Sequence, residues 1–133
     1  EIMPSLVGSE MCIRDRFRYA DVLLAKAEAM NELNGPSEEA IEWVNQIRRR
    51  ANATEIKLVD FNKDTFRDFI LDERGRELYC EGHRRDDLIR HGKYIEYARK
   101  DGMDAKDYHI LFTIPQKALN ENSNLKQNPG YEN

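Results

Sequence analysis

Apolar residues near the start of the chain repeat with the period of a helix. Between residues 17 and 34 they recur at steps of three and four, which places them on one face of an amphipathic helix. The face comprises Tyr19, Leu23, Ala27 and Met30, widened by Ala20 and Leu24.

A short turn separates this helix from a second one. Gly35 is suited to cap the first helix, Pro36 cannot continue it, and Ser37 is placed to cap the next. The second helix carries apolar residues on one face and ends in three arginines, 48–50, which complement the helix dipole better than they indicate a phosphate site. The pair has the size of one tetratricopeptide unit, about 34 residues. Since a lone unit cannot bury its own face, later helices or another part of the protein must cover it.

The rest of the chain predicts shorter helices joined by irregular segments. Residues 52–60 are expected to form a loop, and Asn62 or Asp64 to cap a third helix that ends near 81–82. A fourth helix is expected to begin near 84–85, followed by a bend at Gly92 and a short helix over 94–100. Residues 115–119 predict one helical turn before an irregular, Asn-rich tail. The expected fold class is mainly α: a tetratricopeptide-like helical hairpin, further helices and an irregular C-terminal tail.

Composition narrows the function. The chain has 133 residues, 21 basic and 25 acidic, with a formal charge of −4, which argues against nucleic acid as a partner. No apolar run approaches the roughly 18 residues that cross a bilayer. Two cysteines, Cys12 and Cys80, form neither a disulfide framework nor a CxxC pattern, and no cofactor is predicted.

Residues 1–16 do not share the periodicity that follows them. Residues 5–16, SLVGSEMCIRDR, resemble a translated sequencing adapter, and an ordinary flexible leader is the alternative. We therefore expect residues 1–16 to be a non-native or disordered leader and 17–133 to be the folded domain. If Glu1 were the true N-terminus, the absence of a signal segment would indicate a cytoplasmic protein.

The third helix combines apolar and acidic residues on one stripe. Phe66, Ile70, Glu73 and Glu77 follow at steps of four, three and four, and Glu81 continues the series. Burying an unpaired carboxylate is costly, so arginines should pair with these groups. The nearest candidates in the sequence are Arg74, Arg76, Arg84, Arg85 and Arg90.

Three interpretations of these polar residues remain open. Two carboxylates across a cleft could serve as an acid–base pair, although the dense arginines favour ion pairing over proton donation. His83, His91 and His109 could form a metal site only if three separate segments converged, and HExxH spacing is absent. We favour a structural ion-pair network that fixes the crossing of the third and fourth helices, with no catalytic or metal-binding residue. Its members are Glu73, Arg74, Glu77, Glu81, Arg84, Asp87 and Arg90.

The same residues carry a family resemblance. Residues 72–92, DERGRELYCEGHRRDDLIRHG, resemble the SusD/RagB signature ER-x-x-EL-x-x-EG-x-R-x-x-DL-x-R-x-G. The block FRYADVLLAKAEA at 17–29, with VNQIR at 44–48, and the ending IP at 114–115 with NLKQNPGY at 124–131 are also similar to that family, in the same order. The departures are His91, where many members have an aromatic residue, and Cys80, where a larger side chain is common.

The resemblance implies the C-terminal part of a much longer protein. Such a parent is a lipid-anchored, surface-exposed outer-membrane protein that binds glycans or peptides and delivers them to a SusC-type TonB-dependent transporter. It performs no covalent chemistry. The expected contact with the membrane is only through a lipid anchor outside this sequence. The ligand-binding residues are unknown, although Trp43, Tyr97 and Tyr108 could stack on a sugar if exposed. The alternative is a cytoplasmic tetratricopeptide-like module that binds other proteins.

Overall fold

The computed structural model describes residues 18–131. Those residues contain six α-helices, two short 3-10 turns and no β-strand, so the predicted mainly α fold is confirmed. Contacts divide the chain into two compact units, with the boundary between Arg84 and Arg85. None of the helices in the described part of the chain is long and apolar enough to span a membrane.

The first unit is built on three helices. They are α1 (Tyr19–Asn34), α2 (Glu38–Arg50) and α3 (Lys63–Glu77). Helix α1 packs against both α2 and α3, so the hairpin that the sequence predicts is covered on one side by the third helix. The buried core of the unit comprises Ala20, Leu23, Leu24, Ala27, Ala40, Ile41, Trp43, Val44, Ile47, Phe66 and Ile70.

Side-chain caps fix where these helices begin. The hydroxyl of Ser37 accepts a hydrogen bond from the amide of Ala40 at 3.2 Å, which caps α2 as expected. Asn62 caps α3, because its Oδ1 accepts from the amides of Asp64 and Thr65 at 3.0 and 2.9 Å. The hydroxyl of Thr65 accepts from the amide of Asn62 in return, so both ends of this capping interaction are made.

The buried face of α1 is rotated from the predicted one. Tyr19 is 72 % exposed, whereas Ala20, one residue and about 100° further round the helix, is buried. Asn31 lies on the buried face at the other end of the helix, and its Nδ2 donates to the carbonyl of Lys63 at 2.8 Å. The prediction that Tyr19 lies on the buried face was therefore wrong. The buried face includes the polar residue Asn31, because its side chain hydrogen-bonds to α3. Phe17, where the helix was expected to begin, lies outside the described residues.

Helix α3 ends earlier than expected. It stops at Glu77 rather than near Glu81, because the backbone of the following turn leaves the helical region. Cys80 has φ +62° and Gly82 has φ +87°, both left-handed values that end a right-handed helix. Glu81 consequently lies in the turn after α3 and does not continue its stripe.

The described part of the second unit contains short elements. Helix α4 (His83–Arg90) crosses the boundary between the units, and α5 (Tyr94–Lys100) and α6 (Gln116–Glu121) follow it. The 3-10 turn Asp107–Ile110 comes before residues 112–115, which form no helix or strand. The other 3-10 turn, Leu58–Asp60, lies in the first unit within the predicted 52–60 loop.

Side chains of the tail bind to the backbone of residues 111–114. Gln127 accepts from the amide of Ile114 at 2.8 Å and donates to its carbonyl at 2.9 Å. The hydroxyl of Tyr131 donates to the carbonyl of Leu111 at 3.0 Å. The irregular tail is therefore ordered by side-chain hydrogen bonds to backbone, in place of a strand ladder.

Candidate functional site

The buried stripe of α3 brings its carboxylates against arginines of the neighbouring helices. Phe66 and Ile70 are fully buried, and Glu73, one helical turn later, is only 6 % exposed. A carboxylate this far from water needs a charged or hydrogen-bonding partner. The identity of these partners decides whether the stripe serves chemistry or packing.

Glu73 is paired with an arginine from α2 and with one from its own helix. Its Oε2 accepts from Arg48 Nη1 at 2.8 Å and from Arg76 Nη2 at 2.6 Å. Arg48 also donates through Nε to the carbonyl of Thr54 at 2.6 Å. The guanidinium carbons of Arg48 and Arg76 lie 5.4 and 5.7 Å from the ring centroid of Phe69, within cation–π range. Glu73 therefore joins α3 to the basic end of α2.

Arg74 forms an ion pair that is as deeply buried as the one between Glu73 and Arg48. Its Nη1 donates to Asp21 Oδ1 at 2.6 Å, and the two side chains are 7 % and 16 % exposed. Asp21 belongs to the first turn of α1, where the helix dipole also favours a negative charge. The pair therefore connects the last turn of α3 to the first turn of α1.

Glu77 lies between two arginines, one directly before α1 and one at the end of α2. Its Oε1 accepts from Arg18 Nη2 and its Oε2 from Arg50 Nη2, both at 2.5 Å. Arg18, the residue before α1, also binds Glu81 through Nη1 and donates to the carbonyl of Glu77 at 3.0 Å. Partial burial alone would lower the pKa of Arg18, but the hydrogen bond to Glu81 and the negative charge of Glu77 raise it above its ordinary value.

Arg84 lies against the side of α3 at the end of the first unit. Its Nη1 donates to the carbonyl of Leu71 at 2.7 Å and its Nη2 to Asp72 Oδ1 at 3.1 Å. This position depends on Gly75, because a Cβ there would lie 2.8 Å from Nη1 of Arg84. A glycine in the last turn of α3 therefore makes room for a guanidinium group.

The remaining two predicted residues lie in the second unit. Asp87 is buried, at 4 % exposed, and Arg90 donates to its Oδ1 through Nε at 3.0 Å and through Nη2 at 2.9 Å. Both belong to α4, three residues apart, so this pair fixes side chains within one helix.

Sequence reasoning missed most of the partners in the first unit. It placed them within the 72–92 motif, whereas Arg18, Asp21, Arg48 and Arg50 lie on or next to α1 and α2. The sequence did contain a signal for these partners, because the arginines at the end of α2 come directly after the buried Ile47. Connecting them to α3 required knowing how the helices pack.

The sugar-stacking and metal-binding candidates have other surroundings. Trp43 is 8 % exposed, with Lys26 Nζ 3.8 Å from its ring. Tyr108 makes an edge-on contact with Tyr131 at 4.9 Å, and Tyr97 is half-buried on α5. Among residues 18–131, no three His, Cys, Asp or Glu side chains form a group able to hold a metal ion. The expected lack of a metal and of a cofactor stays a prediction.

The geometry favours cross-linking of helices over catalysis. Glu73, Arg74 and Glu77 each contact an oppositely charged group from a different helix, at 2.5 to 2.8 Å. We call the seven residues that join α3 to α1 and α2 the α3 clasp. Its members are Arg18, Asp21, Arg48, Arg50, Glu73, Arg74 and Glu77.

Comparison with known proteins assigns the chain to a family. The model of the SusD family matches residues 12–131, which include the whole 72–92 motif. The chain belongs to the SusD family. The predicted resemblance is therefore confirmed. Because the match begins inside residues 1–16, the boundary predicted between leader and domain at residue 17 stays a prediction.

Relatives in the SusD family are several times longer than this chain. SusD-like protein P38 of Formosa agariphila is 40 % identical over 140 residues, which cover 98 % of this chain and 26 % of the relative. The starch-binding protein SusD of Bacteroides thetaiotaomicron is 34 % identical over 125 residues, covering 87 % of this chain and 21 % of that protein. The chain thus spans about a quarter of the length of these relatives or less.

A solved structure supports the same assignment at the level of the fold. The crystal structure of a SusD homolog from Bacteroides thetaiotaomicron superposes with a TM-score of 0.73 at 35 % identity. The superposition covers 86 % of this chain and 26 % of that one. Helices of this chain therefore follow the path of a region of a SusD-family protein.

Proposed function

We propose that the intact protein carrying this chain is a glycan-binding component of an outer-membrane uptake system. The observation that supports this most strongly is the family match over residues 12–131. One relative in that family is named a starch-binding protein, so a glycan is the first ligand class to test and a peptide the second.

The proposed role is binding without covalent chemistry. The carboxylates of the 72–92 motif are the residues most like a catalytic pair in the sequence, and Glu73 and Glu77 both contact arginines in the α3 clasp. An acid–base pair in a glycosidase needs a carboxyl group free to give and take a proton at the substrate. Ion pairs across three helices suit a rigid scaffold better.

The proposed partner is a SusC-type TonB-dependent transporter, to which the intact protein would deliver its ligand. The proposed location is the outer face of the outer membrane, with a lipid anchor in a part of the protein outside this sequence. The competing location is the cytoplasm, where a tetratricopeptide-like module would bind other proteins.

Calorimetric titration of the full-length protein tests the ligand and the lack of chemistry together. We expect saturable binding of starch oligosaccharides, and we expect chromatography of the recovered sugar to show unchanged chain length. A peptide mixture of similar mass serves as the comparison ligand. Binding of neither glycan nor peptide would refute the nutrient-binding role, and shortened oligosaccharides would refute the role without catalysis.

Protease treatment of intact cells tests the location. A surface protein is digested while the outer membrane is intact, whereas a cytoplasmic module is protected until the cells are lysed.

Co-purification with a barrel transporter after mild detergent extraction tests the partner. Protection in intact cells, together with no associated barrel, would contradict both proposals.

A further inference from the structure

A small pocket opens between α1 and α2 beside the α3 clasp. It has a volume of about 240 Å³ and lies entirely within the first unit. Its floor is apolar, since Ala20, Leu23 and Ile47 are all buried. The polar groups around it are Arg18, Tyr19, Gln46 and Arg50.

The two arginines of the pocket are held by the same carboxylate. Glu77 binds Arg18 with one oxygen and Arg50 with the other, both at 2.5 Å, although one arginine precedes α1 and the other ends α2. Glu77 is 9 % exposed, whereas Arg18 and Arg50 are 38 % and 56 % exposed. The buried carboxylate thus fixes two guanidinium groups that remain accessible from solvent. Donors fixed in this way lose little side-chain entropy when a ligand binds.

The charge of this cluster gives no net attraction to an anion. Arg18 and Arg50 contribute two positive charges, and Glu77 and Glu81, both ion-paired to Arg18, contribute two negative ones. A carboxylate or phosphate would therefore meet a site with no net charge. A guanidinium group has five N–H donors, and Arg50 uses one of its nitrogens on Glu77. The remaining donors suit neutral acceptor oxygens such as hydroxyl groups.

Tyr19 supplies the flat surface that such a ligand needs. It lines the pocket and is 72 % exposed, so its ring is open to solvent. The exposed ring of Tyr19 lies next to the guanidinium of Arg50, the amide of Gln46 and the apolar floor of the pocket. Such a combination suits a ligand ring that is apolar on its face and carries hydroxyl groups at its edge.

We propose that this pocket is a subsite for one neutral sugar ring of a longer glycan. Tyr19 would stack on the face of the sugar, and Arg50 and Gln46 would bind its hydroxyl groups. The volume of about 240 Å³ is below the roughly 300–1,000 Å³ of pockets that enclose drug-sized ligands, so it fits one ring of a chain. This inference rests on the proposed glycan-binding function and adds a place and a charge preference to it.

Titration of the 133-residue chain with maltotriose, followed by two-dimensional NMR, tests the proposal. We expect a dissociation constant on the order of 1 mM, with shifts concentrated at Tyr19, Gln46 and Arg50. A trimer of galacturonic acid should bind no more tightly, because the cluster carries no net charge. Tighter binding of the acidic trimer, or maltotriose shifts confined to other residues, would overturn the proposal.

Two tyrosine variants separate stacking at the pocket from general surface effects. Tyr19→Ala should weaken maltotriose binding about tenfold, while Tyr19→Phe keeps the ring and most of the affinity. Tyr79 is 78 % exposed and does not line the pocket, so Tyr79→Ala is the matched control and should bind like the unmodified chain. Equal affinity of Tyr19→Ala and Tyr79→Ala would overturn the proposal. Circular dichroism confirms that each variant is folded.

The full-length protein distinguishes failure of the subsite from failure of the function. If the 133-residue chain does not bind maltotriose but the full-length protein binds starch oligosaccharides, the subsite is wrong and the proposed function stands. If the full-length protein binds neither glycan nor peptide, the proposed function is wrong. Binding by the chain that depends on Tyr19 supports both.

Discussion

At the scale of single residues, the ion pairs of this chain differ mainly in how far they lie from water. The pair Arg74–Asp21 has side chains 7 % and 16 % exposed, whereas in Arg99–Asp107 they are 54 % and 88 % exposed. The distances are similar, at 2.6 and 2.9 Å. Burial, and not the length of the contact, should therefore decide what each pair contributes to stability.

Replacing the carboxylate of the buried pair tests this directly. Asp21→Ala removes the carboxylate 2.6 Å from Arg74 and so takes one negative charge away from a buried positive one. We expect the free energy of unfolding to fall by about 3 kcal/mol. Asp107→Ala is the control in an exposed pair and should change it by less than about 1 kcal/mol. Urea unfolding measures both, and equal effects would show that burial of the Arg74 pair is unimportant.

The Glu42–Arg49 pair gives a prediction on pH. The hydrogen bond from Arg49 holds the pKa of Glu42 below its ordinary value of 4.5. A carboxyl group with a lowered pKa in the folded state adds stability above its unfolded pKa, and this stability is lost as the pH falls through the folded value. Carbon-13 NMR of the side chain should show Glu42 titrating below 4.5, and closer to 4.5 in Arg49→Gln. The same titration in both proteins would contradict the assigned cause.

At the scale of elements, the beginnings of helices were predictable from the sequence and their ends and rotation less so. Caps act locally, so Ser37 and Asn62 could be recognised from the residues that follow them. The end of α3 depends on a left-handed backbone at Cys80, which cannot be predicted from the residue type. The orientation of α1 depends on a hydrogen bond from Asn31 to α3, and the periodicity of one helix does not predict a contact with another helix.

The glycine inside α3 offers a test of how that helix is packed. Gly75→Ala alone should gain helix propensity, about 1 kcal/mol, but its Cβ would displace Arg84 from the carbonyl of Leu71. We therefore expect a net change below about 0.5 kcal/mol in the unmodified chain. In an Arg84→Ala background the full gain of about 1 kcal/mol should appear. Equal effects of Gly75→Ala in both backgrounds would show that Arg84 does not occupy this position.

At the scale of the whole molecule, the 72–92 motif identified the family, whereas its structural role needed the fold. The pairing partners predicted within the motif were mostly replaced by Arg18, Asp21, Arg48 and Arg50 from α1 and α2. Residues up to 63 apart in sequence meet in this way, as Arg18 and Glu81 do. The spacing of residues in the sequence predicts only which side chains are neighbours on one helix, so it cannot predict contacts between helices.

The role of the α3 clasp has its most direct test at Glu77, which binds arginines on both sides of the helical hairpin. Because Arg18 and Arg50 are partly exposed, we expect Glu77→Ala to lower the free energy of unfolding by about 2 kcal/mol, below the roughly 3–5 kcal/mol of a fully buried pair. Glu121→Ala removes a glutamate that is 67 % exposed and paired at 3.8 Å, and it should change the value by less than about 0.5 kcal/mol. Chemical unfolding of the two variants beside the unmodified chain measures the difference. Equal stability of all three proteins would contradict a structural role for the clasp.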